Sequence, residues 1–248
     1  MSEEPEEKSE SGAPVYRYDP DQVEQGFQPA RGEEHIEAIA DHIEEHIGPV
    51  ESVFHEVVSE IVHVDVHIVA PTADYPFYTL VTSGMSDLPM TAPQGYEDYR
   101  HAEVYLQLPA DWPLKDQDVM QQEEYYWPIR WLKIIARFPH TYHTFIAFGH
   151  TIPNGEEAAP LGPGTELGCV MAVSGGPFPE EFDVLPLEDG TLIHFYQLVP
   201  LYAAEMNLKL NKGMEALMDK FDEYDISDAI DPQRVNTCAK KRSFFSRW

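Results

Sequence analysis

Basic residues are scarce in this chain: 16 lysines and arginines stand against 44 aspartates and glutamates in 248 residues, a formal net charge of −28. That balance repels a phosphate backbone and leaves no electrostatic footprint for nucleic acid. It fits either plain solubility or capture of a basic protein partner, whose association an opposite field accelerates. Cysteine is nearly missing. Cys169 and Cys238 lie far apart in no metal-ligand spacing, which argues against a disulfide framework or a zinc ribbon and leaves two free thiols. No apolar run approaches the roughly 18 to 20 residues of a membrane span. The opening "MSEEPEEKSE" has neither the basic flank nor the apolar segment of a secretory signal, so the chain reads as cytoplasmic, without a membrane partner. A phosphate-cradling loop is lacking as well, since "LGPGTELG" is interrupted by Pro163 and has no P-loop lysine.

What is present is a globular composition, with 43% hydrophobic and 12% aromatic residues. Residues 1–30 are rich in Glu, Ser, Pro and Gln and predict a flexible acidic arm. Residues 31–235 read as one folded domain, and 236–248 as a basic tail. The last fifteen residues, "RVNTCAKKRSFFSRW", carry Arg234, Lys240, Lys241, Arg242 and Arg247 with no acid, and either fold back on the acidic body or meet a partner.

Periodicity supplies the elements. In "GEEHIEAIADHIEEHIGP", Ile36, Ile39, Ala40, Ile43 and Ile47 recur at steps of three and four before Gly48-Pro49, which predicts an amphipathic helix. "IVHVDVHIVAP" alternates, with Val62, Val64, Val66 and Ile68 on one face and His63, Asp65 and His67 on the other. "PFYTLVTS" and "HAEVYLQLPADW" follow as further strands. "YYWPIRWLKIIARFPH" switches to a helical period, with Pro128 expected in the first turn and Pro139 at the stop. "TIPNGEEAAPLGPGTE" reads as a loop, "LGCVMAV", "EFDVLPL" and "EDGTLIHFYQLV" as strands with an Asp-Gly hairpin turn, and "PLYAAEMNLKLNKGMEALMDKFDEY" as helix. The whole predicts an α+β fold: a mixed, largely antiparallel sheet flanked by helices.

Three constellations could carry chemistry. Ser86 follows a strand in Gly84-Met85-Ser86-Asp87-Leu88, but a nucleophile elbow wants a second Gly where Leu88 stands. A Ser-Asp pair in that place more often bonds its own backbone as a turn or cap. "HIEEH", His42 to His46, matches an inverted zinc-peptidase pattern, although His35, His42 and His46 also form a stripe bordering the Ile face. His63, Asp65 and His67 point the same way, but four strand steps separate the two histidines by roughly 13 Å, which strains a single-metal chelate and favours a His63–Asp65 pair. Cys169 sits in an apolar strand, where a thiol is inert. The enzyme readings, a hydrolase using Ser86 or a metal near His63, therefore rest on weak signals only, and no cofactor and no metal are expected.

Five segments in order, "YTLVTSGMSDLPM", "HAEVYLQLPADW", "YWPIRWLKIIARFPH", "GHTIPNG" and "HFYQLVPLYAAEMNLKL", resemble bacterial members of the Suppressor of fused family over residues 33–238. The animal protein is similar more distantly, at Gly84-Met85-Ser86-Asp87-Leu88 and at the Phe195-Tyr196-Gln197-Leu198-Val199 strand followed by Glu205. The resemblance implies a helix-flanked mixed sheet. It also implies protein binding, since the animal protein grips an extended peptide of a transcription factor as an added strand between two domains, of which this chain matches the first. Gly84, Met85, Ser86, Asp87, Leu88, Gln197 and Glu205 are the binding residues it points to. For bacterial relatives it implies immunity against polymorphic toxins.

Overall fold

The computed structural model describes residues 7–18, 34–55 and 61–239. Its frame is one mixed sheet of eight strands: β3 (Val50–Phe54), β4 (Asp65–Val69), β5 (Phe77–Ser83), β6 (His101–Pro109), β7 (Thr151–Pro153), β8 (Cys169–Val173), β9 (Val184–Pro186) and β10 (Leu192–Leu201). The order is β3-β4-β5-β6-β10-β8-β7, with β9 paired to the start of β10. Only β6 and β10 run parallel; the other described pairs are antiparallel. The mixed, largely antiparallel α+β fold expected from the sequence is the one observed.

Helices cover both faces, so the central strands are buried on each side. Side-chain alternation sends Val104, Leu106 and Leu108 of β6 to one face, where Trp127, Leu132, Ile135 and Ala136 of the long helix α3 (Glu123–Thr141) meet them. On the other face Tyr105 and Phe195 pack with Ile39, Ile43 and Ile47, the apolar stripe of α1 (Ile36–His46) and its C-cap, and with Phe178 and Phe182. Ile39 and Ile43 are completely buried; each contributes about 2 kcal/mol of transfer free energy. Farther along that face, Leu217 of α5 (Met214–Tyr224) and Met206 of α4 (Ala203–Lys212) cover Cys169, Met171 and Leu201. Gly213, at φ +93°, makes the break between α4 and α5 that a side-chain-bearing residue resists.

The structure departs from the periodicity in three places. Pro128, expected in the first helical turn, lies in the second: the helix begins at Glu123, because the Gln122 carbonyl accepts from the Tyr125 and Tyr126 N–H groups and closes a turn ahead of the proline. It also runs past Pro139, which lacks a donor but still accepts: its carbonyl takes the Thr144 N–H while Phe138 takes that of Tyr142. Thr151–Pro153, read as part of a loop, is the edge strand β7, and β3 was not signalled at all. A four-residue helix α2 (Gln117–Met120) is capped by Asp116, whose carboxylate accepts from Asp118 and Val119.

Part of the acidic arm is placed. Residues 7–18 form a hairpin of β1 (Glu7–Lys8) and β2 (Pro14–Val15). The Ser11 N–H donates to Leu210 O, and Tyr18 shares a 2.6 Å hydroxyl bond with Thr144 and sets its ring edge-on to Phe138. The rest of the arm and the tail residues Lys240, Lys241, Arg242 and Arg247 lie outside the described residues. Among the described residues, no helix is long and apolar enough to cross a membrane.

Candidate functional site

Gly84 leaves β5 at φ +103°, a left-handed conformation that glycine adopts without strain, and a 3-10 turn over Met85–Asp87 follows. The turn drops Ser86 into the interior, where it is completely buried. Its hydroxyl donates to Glu103 Oε1 at 2.7 Å and its N–H to the same oxygen at 2.9 Å, while the Thr82 hydroxyl donates to Oε2 at 2.6 Å. Burial pushes the Glu103 acid up to about 7 against the pull of those three donors. The backbone of the turn is tied down too. His140 of α3 bonds Met85 O at 3.0 Å, and His101 bonds Ser86 O at 2.6 Å. Asp87 accepts the Glu34 N–H at 2.9 Å and lies 3.0 Å from His35, just before α1. Leu88 is half-buried against the α3-side core.

A sealed serine of this kind has no face for a substrate. The geometry instead makes Gly84–Leu88 a knot joining β5, β6, α1 and α3.

The histidine candidates resolve similarly. His63 bonds one oxygen of the buried Asp65 carboxylate at 2.9 Å, and His55 bonds the other at 2.8 Å. His67 pairs instead with the Ser83 hydroxyl at 2.9 Å, so the three side chains expected to face one way do not share one partner. Burial chiefly lowers the pKa of His67. In "HIEEH", His42 Nε2 donates to Phe182 O at 3.1 Å and the ring stacks on that of Phe182, and burial lowers its pKa. Among the described residues, no three His, Cys, Asp or Glu side chains cluster as metal ligands. Burial also pushes the Cys169 thiol up to about 12.

The model of the Suppressor of fused protein (SUFU) family matches residues 61–235, well over half of the chain. The chain belongs to the Suppressor of fused family. Solved structures share the family fold. A Suppressor of fused homologue from Neisseria gonorrhoeae superposes with a TM-score of 0.60 at 18% identity, covering 85% of this chain and 100% of that one. The Sufu–Fu complex gives 0.53 at 14% identity over 79% and 86% of the two chains. Drosophila Suppressor of Fused gives 0.51 at 12% identity over 84% of this chain and half of its own. No curated protein matches the chain.

Within this Suppressor of fused fold, Gln197 and Glu205 also lie inside. Gln197 Nε2 donates to Gln107 Oε1 at 2.8 Å, at the end of the paired stretch of β6 and β10, and the Ile230 N–H donates to the Gln107 carbonyl. Glu205 at the start of α4 accepts from both terminal nitrogens of Arg234, from the Tyr202 N–H and from the N–H and hydroxyl of Thr237. Arg234 in turn lies over the rings of Tyr202 and Phe221. Among the described residues of the basic end, Arg234 thus folds back onto the body. Sequence reasoning missed Glu103, for which an isolated acid in an apolar strand was the available signal, and it named Arg234 in a basic end able to fold back without identifying Glu205 as its partner.

Proposed function

We propose that this chain is a non-enzymatic protein-binding module that captures and inhibits a basic partner in the cytoplasm, with immunity against a bacterial polymorphic toxin as its specific role. Charge carries the reading: a net −28 gives a field that speeds encounter with a cationic protein and holds it in register. The family membership and the existence of a Sufu–Fu complex support protein binding as the common theme. The sheet offers a means. Among the described residues, β3 and β7 each pair on one side only, so either can receive an added strand through its main chain. The binding residues of the Gly84–Leu88 turn, Gln197 and Glu205 enter this proposal as supports of the frame that presents those edges.

Affinity capture from the native host at low and high salt, read by mass spectrometry, tests the proposal. One basic protein, retained at low salt and released at high salt, is the expected result. An empty capture, or an acidic partner indifferent to salt, would overturn it.

A further inference from the structure

Six large apolar or aromatic side chains are exposed among the described residues; two of them, Tyr96 (52%) and Tyr99 (40%), lie side by side, and a third, Phe148 (56%), stands three positions along the chain from Phe145, which Tyr96 meets. Tyr96 lies 6.0 Å from Tyr99 and 6.4 Å from Phe145, and Phe145 meets His150 edge-on at 4.8 Å. Phe148 stands in the turn closed by the His150 N–H on Ala147 O. The other end is fastened to the sheet: Tyr99 stacks on His194 of β10 at 4.7 Å, and His194 Nε2 donates to Asp98 O at 3.0 Å.

We propose that this aromatic belt, with Glu97 and Asp98 at its rim, is the docking surface for an arginine-bearing segment of a basic protein. The inference rests on the protein-binding reading above and specifies its surface. Contiguous exposed aromatics mark contact sites, because their burial is favourable and their rigid rings lose little entropy. Ring faces attract a guanidinium, whose flat, weakly hydrated cation stacks better than an ammonium. The rim adds charge: Gly95 N–H bonds Glu97 Oε2 at 2.9 Å and holds that carboxylate below its usual range, so it stays ionised in neutral solution. Arg100 is the one Lys or Arg within residues 96–100 and 145–150, and the chain as a whole repels an acidic segment.

The test is calorimetric titration with two synthetic peptides of one length, the first arginine-rich and the second carrying neutral citrulline at each arginine. The chains compared are the wild type, the triple variant Tyr96→Ala/Tyr99→Ala/Phe148→Ala, and Ile134→Ala, an exposed apolar residue elsewhere. None of these changes alters the charge, so a loss in the triple variant reports the rings and not the field. The arginine peptide is expected to bind wild type and Ile134→Ala alike and the triple variant at least about tenfold more weakly, with citrulline abolishing the difference. Glu97→Gln/Asp98→Asn, which spares every ring, is expected to weaken it a few-fold. Equal binding by the triple variant, equal binding of the citrulline peptide, or no binding to wild type would overturn the proposal. A basic partner captured equally by the triple variant removes this surface while leaving the protein-binding reading intact. An empty capture by wild type removes that reading, and the titration still decides the surface.

Discussion

Glu103 and Glu205 are both completely buried, and they are held in opposite ways. Glu103 receives three neutral donors, and burial raises its acid to about 7. For Glu205 burial pushes in the same direction, but the hydrogen bonds and charge of Arg234, with the amides of Tyr202 and Thr237, outweigh it and leave the pKa lowered. The same side chain is thus a proton-sensitive knot under the Gly84–Leu88 turn and, beside Arg234, a clamp on the C-terminal segment that is ionised at neutral pH. What differs is whether a cation was enclosed with the carboxylate.

Breaking the clamp has the largest expected effect. Arg234→Ala strands Glu205 without its charge partner and is expected to cost about 3–5 kcal/mol in urea denaturation. A loss below about 1 kcal/mol would mean that the two carboxylates are not held differently. The pH dependence sharpens the contrast. Glu103 has a folded pKa above its unfolded value near 4.5, so its stabilisation is full below that pH and is lost as pH rises through about 7. That is a fall of about 3 kcal/mol. Glu205, with its pKa lowered, contributes stability that is present above the unfolded value and lost as the pH drops through the folded one. Glu103→Gln is therefore expected to flatten the decline between pH 4.5 and 7 measured by urea denaturation, and a wild-type slope retained in that variant would contradict the assignment.

Much of the frame was legible because period and burial coincide. The Ile39–Ile43–Ile47 stripe marks α1, and the alternation of "HAEVYLQLPADW" marks β6. The edge strands were not legible, since β3 is short and half polar and β7 is three residues ending in Pro153. Glu103 hides for a related reason. Alternation places it opposite Val104 and Leu106, as on a solvated face, and only helices on both sides of the sheet bury it. Ser86 was readable as a turn residue from Gly84 and Asp87, but its partner lies on another strand. Arg234 and Glu205 are 29 positions apart, and the aromatic belt draws on separate segments of chain, so no local pattern announces either.

Smaller effects follow at Ser86 and on the surface. Ser86→Ala removes one donor to Glu103 and is expected to cost about 1–2 kcal/mol by thermal or urea unfolding at pH 8, without loss of partner capture. The belt variant Tyr96→Ala/Tyr99→Ala/Phe148→Ala is expected to change stability by less than about 0.5 kcal/mol per site, as exposed residues do. A larger loss there would make the belt part of the fold rather than a surface presented to a partner.

We propose that the Gly84–Leu88 motif builds a frame and does no chemistry, and the decisive check is to treat the native protein with an activated phosphonate and weigh the intact chain. No adduct is expected, because the Ser86 hydroxyl is sealed and committed to Glu103. A stoichiometric adduct mapped to Ser86 would contradict it and make the chain a hydrolase.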